Sequence, residues 1–348
     1  MPATTCIEES DSPMQLQVPF VQLPLRFDAE RLAAEVAALG DGAWREHPQK
    51  YPGNYAVPLI SVDGDSASDA IAGRMQPTEY LQGCPYLKHV LARLAAVWGR
   101  TRLMKLAAGA EVTPHADINY YWRDRVRVHI PVLTHPEVRF ICGDSEVNMA
   151  AGECWIFDTW RPHCVINPVA QERIHIVADT VGSEAFWELA ERGRTPGHGN
   201  FRDWHTEEFD PTDVTGTPAN LILEAVNVPK VMTPWELRSH LQFILDHVEP
   251  HPHIITVQRQ TARFIAHWQA LWALHGESRD GWPAYRTALD AFARYVETYG
   301  AALRLVNGMR FMATLRSMVL GVALADRDEQ PLTDEQRLPA AIAGEALR

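Results

Sequence analysis

The chain has 348 residues, of which 46% are hydrophobic and 22% charged, and these proportions predict one or two globular domains with a sizeable core. The net charge of −12 argues against a main activity on nucleic acid, because binding a phosphate backbone requires an excess of Lys and Arg. No apolar run reaches the ~18 residues of a membrane-spanning helix, and the N-terminus lacks the features of a signal peptide. Together with five irregularly spaced cysteines, this predicts a cytoplasmic protein that binds neither nucleic acid nor a membrane.

The first half of the chain predicts helices followed by short strands. Residues 27–39 carry apolar side chains at helical spacing, with Asp28 as the capping residue. A second helix is predicted over residues 85–98. From residue 102 to residue 179, short strands are separated by Gly, Pro, Asp and Asn, a pattern typical of a β-sandwich or jelly roll.

One of the predicted strands has an unusual polar face. Apolar residues alternate with other residues along it: Val126, Val128, Ile130 and Val132 against Arg125, Arg127, His129 and Pro131. A period of two predicts a strand with one face in the apolar core. Two arginines and a histidine on the other face are more than a solvated surface needs, and they suggest a cationic pocket for a small anion.

The second half of the chain predicts helices. Residues 191–206 are rich in Gly, Arg and His and predict a linker, and Thr233 to Glu236 form a capping box with Pro234 at the first helical position. Helices are predicted over residues 234–247, 256–275, 282–299 and 302–325. This half carries no motif of known chemical meaning.

His115, Asp117 and His163 are the candidate metal ligands. In a β-strand, side chains two residues apart share one face, so His115 and Asp117 would point at the same ion. Two imidazoles and one carboxylate leave three positions open on an octahedral iron, which favours catalysis over a structural role. Because His-x-Asp occurs often by chance in a chain with 15 His, ordinary polar groups at strand ends remain an alternative. Glu111 is an alternative source of the carboxylate.

Four downstream segments occur in an order that matches a known family. They are Arg-Val-His-Ile-Pro-Val (127–132), Ala-Gly-Glu-Cys-Trp-Ile-Phe-Asp (151–158), His-Cys-Val-Ile-Asn (163–167) and Arg-Ile-His-Ile-Val-Ala-Asp (173–179). From about Leu23 to about Asp179, the chain resembles the aspartyl/asparaginyl β-hydroxylase family of Fe(II)/2-oxoglutarate dioxygenases, in particular its bacterial amino-acid hydroxylases. The resemblance implies a mainly β core with helices, folded as a double-stranded β-helix (jelly roll, cupin-like).

We therefore expect a dioxygenase domain over residues 1–190, a linker over 191–206 and an α-helical C-terminal region over 207–348. The last region is expected to pack beside the pocket mouth and to contribute to a homodimer interface.

The resemblance also implies roles for individual residues. His115, Asp117 and His163 would bind Fe(II), and the carboxylate favours hydroxylation, since related halogenases lack it. Arg173 would bind the far carboxylate of 2-oxoglutarate, His129 would contact this co-substrate near the metal, and Arg127 would bind an anionic group. Two alternatives remain: Arg173 could form a surface salt bridge, and His129 could be a third histidine ligand.

Further residues are expected around this centre. The substrate pocket is expected to include Arg125, Tyr121, Trp122, Trp160, His175, Trp44 and His47, although each could be an ordinary core or surface residue. Asp158 and Asn167 are expected to orient the strand that carries His163. Some relatives have a hydroxyl residue eleven positions before the first ligand histidine, where it helps to hold 2-oxoglutarate. Here Met104 stands there, so the co-substrate needs another partner.

The sequence thus predicts an Fe(II)/2-oxoglutarate-dependent dioxygenase that uses O2 to hydroxylate an unactivated C–H of an amino acid or amino-acid-derived small molecule, with proline among the candidates. Succinate and CO2 would be released. One alternative is a hydroxylase of peptidyl aspartate or asparagine. Another is a non-catalytic, cupin-like metal-binding or regulatory protein.

Overall fold

The computed structural model describes residues 16–47, 51–197, 202–209 and 220–325, with the backbone of residues 336 and 337. Predictions for the N-terminal fifteen residues, the middle of the expected linker and most of the tail lie outside the described residues. Within the described part of the chain, no helix is long and apolar enough to cross a membrane.

Short strands dominate the first two thirds of the described chain. They are β1 (Phe20–Arg26), β2 (Arg45–Glu46), β3 (Asn54–Val62), β4 (Met75–Pro77), β5 (Val97–Leu106), β6 (Glu111–Ala116), β7 (Val126–Leu133), β8 (Arg139–Cys142), β9 (Ser145–Val147), β10 (Glu153–Phe157), β11 (His163–Ile166), β12 (Arg173–Gly182), β13 (Glu207–Glu208), β14 (Ile222–Leu223) and β15 (Gln336–Arg337). The helices of this part are α1 (Ala29–Ala38), α2 (Glu79–Gln82), α3 (Pro85–Arg93), α4 (Tyr120–Arg123) and α5 (Glu184–Glu191).

The strands form two facing sheets. The larger sheet has the order β13-β1-β10-β7-β12-β5-β3-β2, and the smaller has the order β15-β6-β11-β8-β9. Side chains of both sheets meet in an apolar cluster, in which the rings of Phe140 and Phe157 have centroids 4.9 Å apart. The jelly roll, or double-stranded β-helix, is confirmed.

The two faces of the larger sheet differ sharply. On its outer face, Val128, Ile130 and Ile176 pack with residues of α1 and α3 into the largest apolar cluster of the first half. The intervening residues of the same strands point inward, where the polar side chains of the site lie. The period of two seen in the sequence therefore correctly separates core from site. Helix α1 begins as predicted, because the Asp28 carboxylate accepts a hydrogen bond from the Arg31 amide.

The C-terminal helices have their own apolar core. They are α6 (Pro234–Asp246), α7 (Ile254–His275), α8 (Trp282–Gly300) and α9 (Phe311–Leu315), and a π-helical turn over residues 316–320 follows α9. Helix α6 is capped as predicted, since the Thr233 hydroxyl accepts from the Glu236 amide. The prediction of one helix over residues 302–325 is wrong. A turn at Asn307 and Gly308, whose φ is +81°, interrupts it before α9.

The helical region begins later than expected. Residues 207–208 and 222–223, expected to belong to it, instead pair in parallel with β1 and β5 of the larger sheet. The described part of the expected linker is also attached to this sheet, where the backbones of Arg194 and Gln22 exchange two hydrogen bonds. The described residues 207–209 and 220–227 thus lie along the β-region as an extended arm, and the helices start at Pro234.

The helices contact the β-region beside the strand that carries His115. The Tyr120 hydroxyl donates to Glu236 of α6, and Trp160 packs edge-on against Phe243 at a centroid distance of 4.6 Å. The Asn307 amide donates to the Trp160 carbonyl. Ile118, next to Asp117, is buried in the core of the helical region. The helical region therefore packs against the β-region next to Asp117.

Candidate active site

His115, Asp117 and His163 converge in one place. His115 and His163 face each other as direct partners across β6 and β11, with ring centroids 4.2 Å apart. Asp117 follows the end of β6, and its amide donates to the Thr159 carbonyl. The Asp117 carboxylate oxygens lie 4.0 Å from Nε2 of His115 and 3.8 Å from Nε2 of His163.

The hydrogen bonds of both histidines leave Nε2 directed at a common point. Nδ1 of His115 lies 2.8 Å from the Thr113 carbonyl oxygen, and Nδ1 of His163 lies 2.9 Å from that of Arg161. Because a carbonyl only accepts, each Nδ1 carries the proton and each Nε2 keeps a lone pair. Burial, followed by the neighbouring His115, lowers the pKa of His163 well below its ordinary value, which keeps the ring neutral. This donor set suits a divalent transition metal.

Among the described residues, these three form the one group of His, Cys, Asp and Glu with mutually close ligand atoms, all within 4.8 Å. His129 is outside this group, so the alternative of a third histidine ligand finds no support. Glu111, the alternative carboxylate, is exposed.

Arg127 connects the metal centre to the larger sheet. Its Nη1 donates to Asp117 Oδ2 at 2.7 Å, and its Nε donates to Asp179 Oδ1 at 3.1 Å. Its guanidinium lies over the Trp122 ring, 4.2 Å from the centroid. The expected role of Arg127 was to bind an external anion. In the structure its guanidinium already pairs with two carboxylates, and it fixes the orientation of Asp117.

A cavity between the two sheets opens onto the metal centre. Its lining residues are Asn54, Arg102, Met104, Lys105, Leu106, Val112, His115, Arg127, His129, Phe140, Phe157, His163, Val165, Arg173 and Val177. Four of these side chains are cationic, and none of the lining residues is Asp or Glu. The aromatic and aliphatic members exclude water from one side, while the cations make the other side suitable for anions.

Arg173 is a buried guanidinium on the inner face of β12. Among the described residues it pairs with no carboxylate; its one hydrogen bond joins Nη2 to Nδ1 of His175 at 2.8 Å. Its buried Nε has no hydrogen-bond partner within this part of the chain. Burial lowers the pKa of Arg173 to about 9, so the group stays charged at neutral pH. A buried cation in this state fits a bidentate carboxylate ligand, and the alternative of a surface salt bridge is wrong.

His129 and His175 stand beside Arg173 as neutral rings. Their Nδ1 atoms are 3.4 Å apart, and His129 packs edge-on against Phe140 and Phe157. Burial, reinforced by the positive charge of Arg173, lowers the pKa of both histidines well below its ordinary value.

Two residues expected in the substrate pocket lie elsewhere. Arg125 pairs with Glu224 through two hydrogen bonds, of 2.7 and 3.0 Å, and its Nη1 donates to the Tyr121 carbonyl. Tyr121 is fully buried in the outer core, and its hydroxyl accepts from the Arg100 amide. Neither side chain lines the cavity. Arg125 is instead bound to Glu224 of the extended arm and to the backbone of Tyr121.

The aromatic residues expected in the pocket do not line the cavity between the two sheets. Trp122 lies behind Arg127 and Trp160 packs on the helical region, and both line a second, smaller cavity that also contacts Asp117. Trp44 is at the rim, where its ring stacks on Lys105 at 4.4 Å. His47 is buried against Tyr51 and does not line the cavity.

Asp158 and Asn167 flank the strand β11. Asp158 accepts hydrogen bonds from the Trp160 amide and from Nε of Arg161, and burial raises its pKa to about 6. The Asn167 amide donates to the carbonyls of Ala107 and Gln171. These contacts fix both ends of the strand that carries His163.

Two buried arginines of β5 were not predicted from the sequence to belong to the site. Arg102 lines the cavity, and Nε of Arg100 lies 3.8 Å from Asp179 Oδ2. The signal was present, because Arg100, Arg102 and Met104 alternate with Thr101 and Leu103 in a period of two.

Comparison with known proteins gives one family match. Residues 39–182 match the family described as aspartyl/asparaginyl beta-hydroxylase. The match covers the cavity and all three candidate ligands. No curated protein matches the chain.

Several solved structures are similar to part of the chain. One is a 2OG-Fe(II) oxygenase family protein from Burkholderia pseudomallei, with a TM-score of 0.34 and 17% identity over 49% of this chain and 88% of the other. A prolyl-4-hydroxylase from Pseudomonas putida gives 0.33 and 16% over 47% and 92%. HygX from Streptomyces hygroscopicus, solved with nickel and 2-oxoglutarate, gives 0.34 and 8% over 47% and 82%. Likeness at this level adds nothing to what the site's own geometry says. The family match, together with the cluster of His115, Asp117 and His163, supports a 2-oxoglutarate-dependent hydroxylase.

Proposed function

We propose, from the match of residues 39–182 to the aspartyl/asparaginyl β-hydroxylase family, that the chain is an Fe(II)- and 2-oxoglutarate-dependent dioxygenase acting on an amino acid or a small amino-acid derivative. One observation carries the proposal. The His115–Asp117–His163 cluster, whose two histidines line the cavity, lies beside a buried arginine that lines the same cavity and has no carboxylate partner in the described chain.

The residues present fit both groups that such an enzyme needs. His115, Asp117 and His163 would hold the iron, and Arg173 would bind the far carboxylate of 2-oxoglutarate, which chelates metal with its keto-acid end. When bound, iron, 2-oxoglutarate and O2 supply the oxidising power for hydroxylation, with release of succinate and CO2.

The protein's own contribution is positioning and electrostatics. Hydrogen bonds to backbone carbonyls keep Nε2 of both histidines available, and a hydrogen bond from Arg127 orients Asp117. Phe140 and Phe157 close one side of the cavity against water. The three metal-binding side chains are thereby held in place before any co-substrate enters.

The cationic lining favours a substrate with a carboxylate. Arg102 and Lys105 line the cavity in addition to Arg127 and Arg173, and 2-oxoglutarate itself requires only one guanidinium for its far end. A free amino acid, proline among the candidates, offers a carboxylate and is small enough to enter a space between two sheets.

A succinate-release screen across the free amino acids tests the proposal. Purified full-length protein is incubated with Fe(II), 2-oxoglutarate and each amino acid in air, and succinate and the hydroxylated product are quantified. We expect at least one amino acid to stimulate succinate release well above the rate without substrate. Zn(II) should bind the same site and give none, because zinc has no redox chemistry.

The matched controls are His115→Ala and His163→Ala, which should lose turnover while keeping the parent's thermal unfolding temperature. Full activity in either variant would refute the ligand assignment. Stimulation by aspartyl or asparaginyl peptides alone would move the substrate to a peptide. A protein that binds metal but never consumes 2-oxoglutarate would be a binding protein.

A further inference from the structure

We propose that His175 is a co-substrate-binding residue, whose Nε2–H donates a hydrogen bond to the same 2-oxoglutarate carboxylate that Arg173 holds. The inference rests on the proposed function. It names a residue for which the sequence offered only a place in the substrate pocket or in the core.

The bond to Arg173 determines which nitrogen of His175 carries the proton. Nη2 of Arg173 lies 2.8 Å from Nδ1 of His175, and an arginine has hydrogen-bond donors only. Nδ1 must therefore be the acceptor, and the proton of the neutral ring must lie on Nε2. The buried positive charge of Arg173 also opposes a second proton on this ring, which lowers its pKa in the same direction as burial does.

This arrangement leaves a donor in need of an acceptor. Nε2 of His175 is buried and has no hydrogen-bond partner among the described residues. Burying an N–H without a partner costs roughly 1–3 kcal/mol, so such a group is retained where a ligand completes it. The same holds for the Nε atom of Arg173 next to it. Two neighbouring unfilled donors, one of them charged, point to one shared anionic acceptor.

The position of His175 in the sheet places it among residues that line the cavity. It lies between Arg173 and Val177 on the inner face of β12, and both neighbours line the cavity. Its direct partner on β5 is Met104, which also lines the cavity. The Met104 thioether cannot donate a hydrogen bond, so of these two paired positions His175 is the one that offers a donor.

The alternative is that His175 only packs. Packing alone does not require a polar ring here, because the outer face of the same strand is filled by Ile174, Ile176 and Ala178. An apolar residue would avoid the cost of the unfilled donor.

Three substitutions of His175 separate its two nitrogens. His175→Asn keeps an acceptor near the position of Nδ1 and loses the donor at Nε2. His175→Gln keeps a donor near the position of Nε2. His175→Phe keeps the ring volume and loses both groups.

Calorimetric titration of the full-length, Zn(II)-loaded protein measures the effect without turnover. The two probes are 2-oxoglutarate and 2-oxobutanoate, which has the same keto-acid end but no far carboxylate. Thermal unfolding of each variant reports whether it folds. If the parent protein binds neither probe, the proposed function itself fails, and this outcome differs from every outcome below.

We expect His175→Phe and His175→Asn to weaken 2-oxoglutarate binding by roughly 10- to 100-fold, as for a lost hydrogen bond to a charged group. His175→Gln should stay within about threefold of the parent, and 2-oxobutanoate binding should stay within about twofold in all variants. Parent-like 2-oxoglutarate binding by His175→Asn would overturn the proposal. Equal losses for both probes would overturn it too, since they would show general disruption. Should His175→Phe not fold, the Asn and Gln variants decide the question.

A rescue experiment tests whether the donor is what matters. Met104→Ser places a hydroxyl on the strand opposite residue 175, facing the same cavity. In the His175→Asn background it should restore at least about fivefold of the lost 2-oxoglutarate affinity and none for 2-oxobutanoate. No recovery would mean that the two positions do not serve the same carboxylate, which would count against the proposal.

Discussion

The β-region and the helical region bury very different side chains. Inside the jelly roll, arginines at positions 100, 102, 125, 127 and 173 are all nearly inaccessible to solvent, as are several histidines and carboxylates. In the described helices from Pro234 onward, the buried polar residues are His240, Thr261 and Thr314. Burying a charge costs free energy unless the charge is paired or binds a ligand. The charged side chains inside the β-region therefore lower its stability, and they serve the site. The helical region is built for packing, and its few polar groups are exceptions.

Of the changes considered, removal of the helical region should have the largest effect on the protein's stability and solubility. Truncation after Val228 keeps the extended arm but uncovers Ile118 and Trp160, which are packed on the helical core. We expect an aggregating protein in size-exclusion chromatography, because this apolar surface would have no cover. A soluble, monomeric, fully active fragment would show instead that the helices are an independent module.

The next largest effect should distinguish Arg127, which contacts the candidate ligand Asp117, from Arg125, which pairs with Glu224 away from the cavity. Arg127→Met removes one hydrogen-bond partner from each of Asp117 and Asp179, and we expect it to lower the free energy of unfolding by about 3–5 kcal/mol. Metal affinity should fall by about 10- to 100-fold, because Asp117 loses its orienting bond. Urea unfolding and metal titration measure the two effects.

The matched control is a double variant, Arg125→Met with Glu224→Leu. It replaces a buried pair that does not touch the cavity, and it should change the unfolding free energy by less than about 1 kcal/mol and leave metal affinity at the parent value. If this control lost metal as Arg127→Met does, the division of the arginines into site and scaffold would be wrong.

Arg173→Met should weaken 2-oxoglutarate binding by about 2–4 kcal/mol, since a charged partner of the far carboxylate is lost. The same variant should unfold at an equal or higher temperature than the parent. The reason is that Arg173 pairs with no carboxylate in the described chain, so its removal relieves a buried charge. Titration with 2-oxoglutarate and thermal unfolding, both on the metal-loaded protein, measure the loss of affinity and the change in unfolding temperature. An unchanged binding constant would place the 2-oxoglutarate carboxylate elsewhere.

The smallest effect concerns the helical region. Burial lowers the pKa of His240 from 6.5 to about 4, and neither ring nitrogen has a hydrogen-bond partner among the described residues. Below pH 6.5 the unfolded chain binds a proton that the folded protein refuses, so stability falls as the pH drops from 6.5 toward 4. At pH 5 this amounts to about 2 kcal/mol.

Replacing His240 by Phe should remove this loss, which urea unfolding at pH 7 and pH 5 would measure in both proteins. An identical acid sensitivity of variant and parent would mean that His240 accepts its proton in the folded state.

Sequence patterns correctly predicted those features of the fold that depend on residues close together in the chain. The alternation over residues 126–132, the cap at Asp28 and the cap at Thr233 all lie within a few residues of their effect, and the structure has each of them. The candidate ligands were also found locally, through the spacing of His115 and Asp117 and a family resemblance that the match over residues 39–182 confirms.

Partners distant in sequence could not be predicted. Arg125 looks like a pocket residue until Glu224, ninety-nine positions later, is seen to pair with it. Arg127 looks available for a substrate until Asp179 is placed opposite it on β12. In the helical region, Asn307–Gly308 is a turn signal that the prediction of one helix over residues 302–325 did not use.

The direct pairing of His115 with His163 makes the metal centre dependent on strand register. Because side chains alternate between faces, a slip of β6 against β11 by one residue would turn one imidazole away and separate the pair. A chain with misaligned strands would then have no high-affinity place for iron. Metal binding would then be selective for correctly folded molecules. Only these would acquire the reactive ion, and misfolded ones would stay free of its oxidising chemistry.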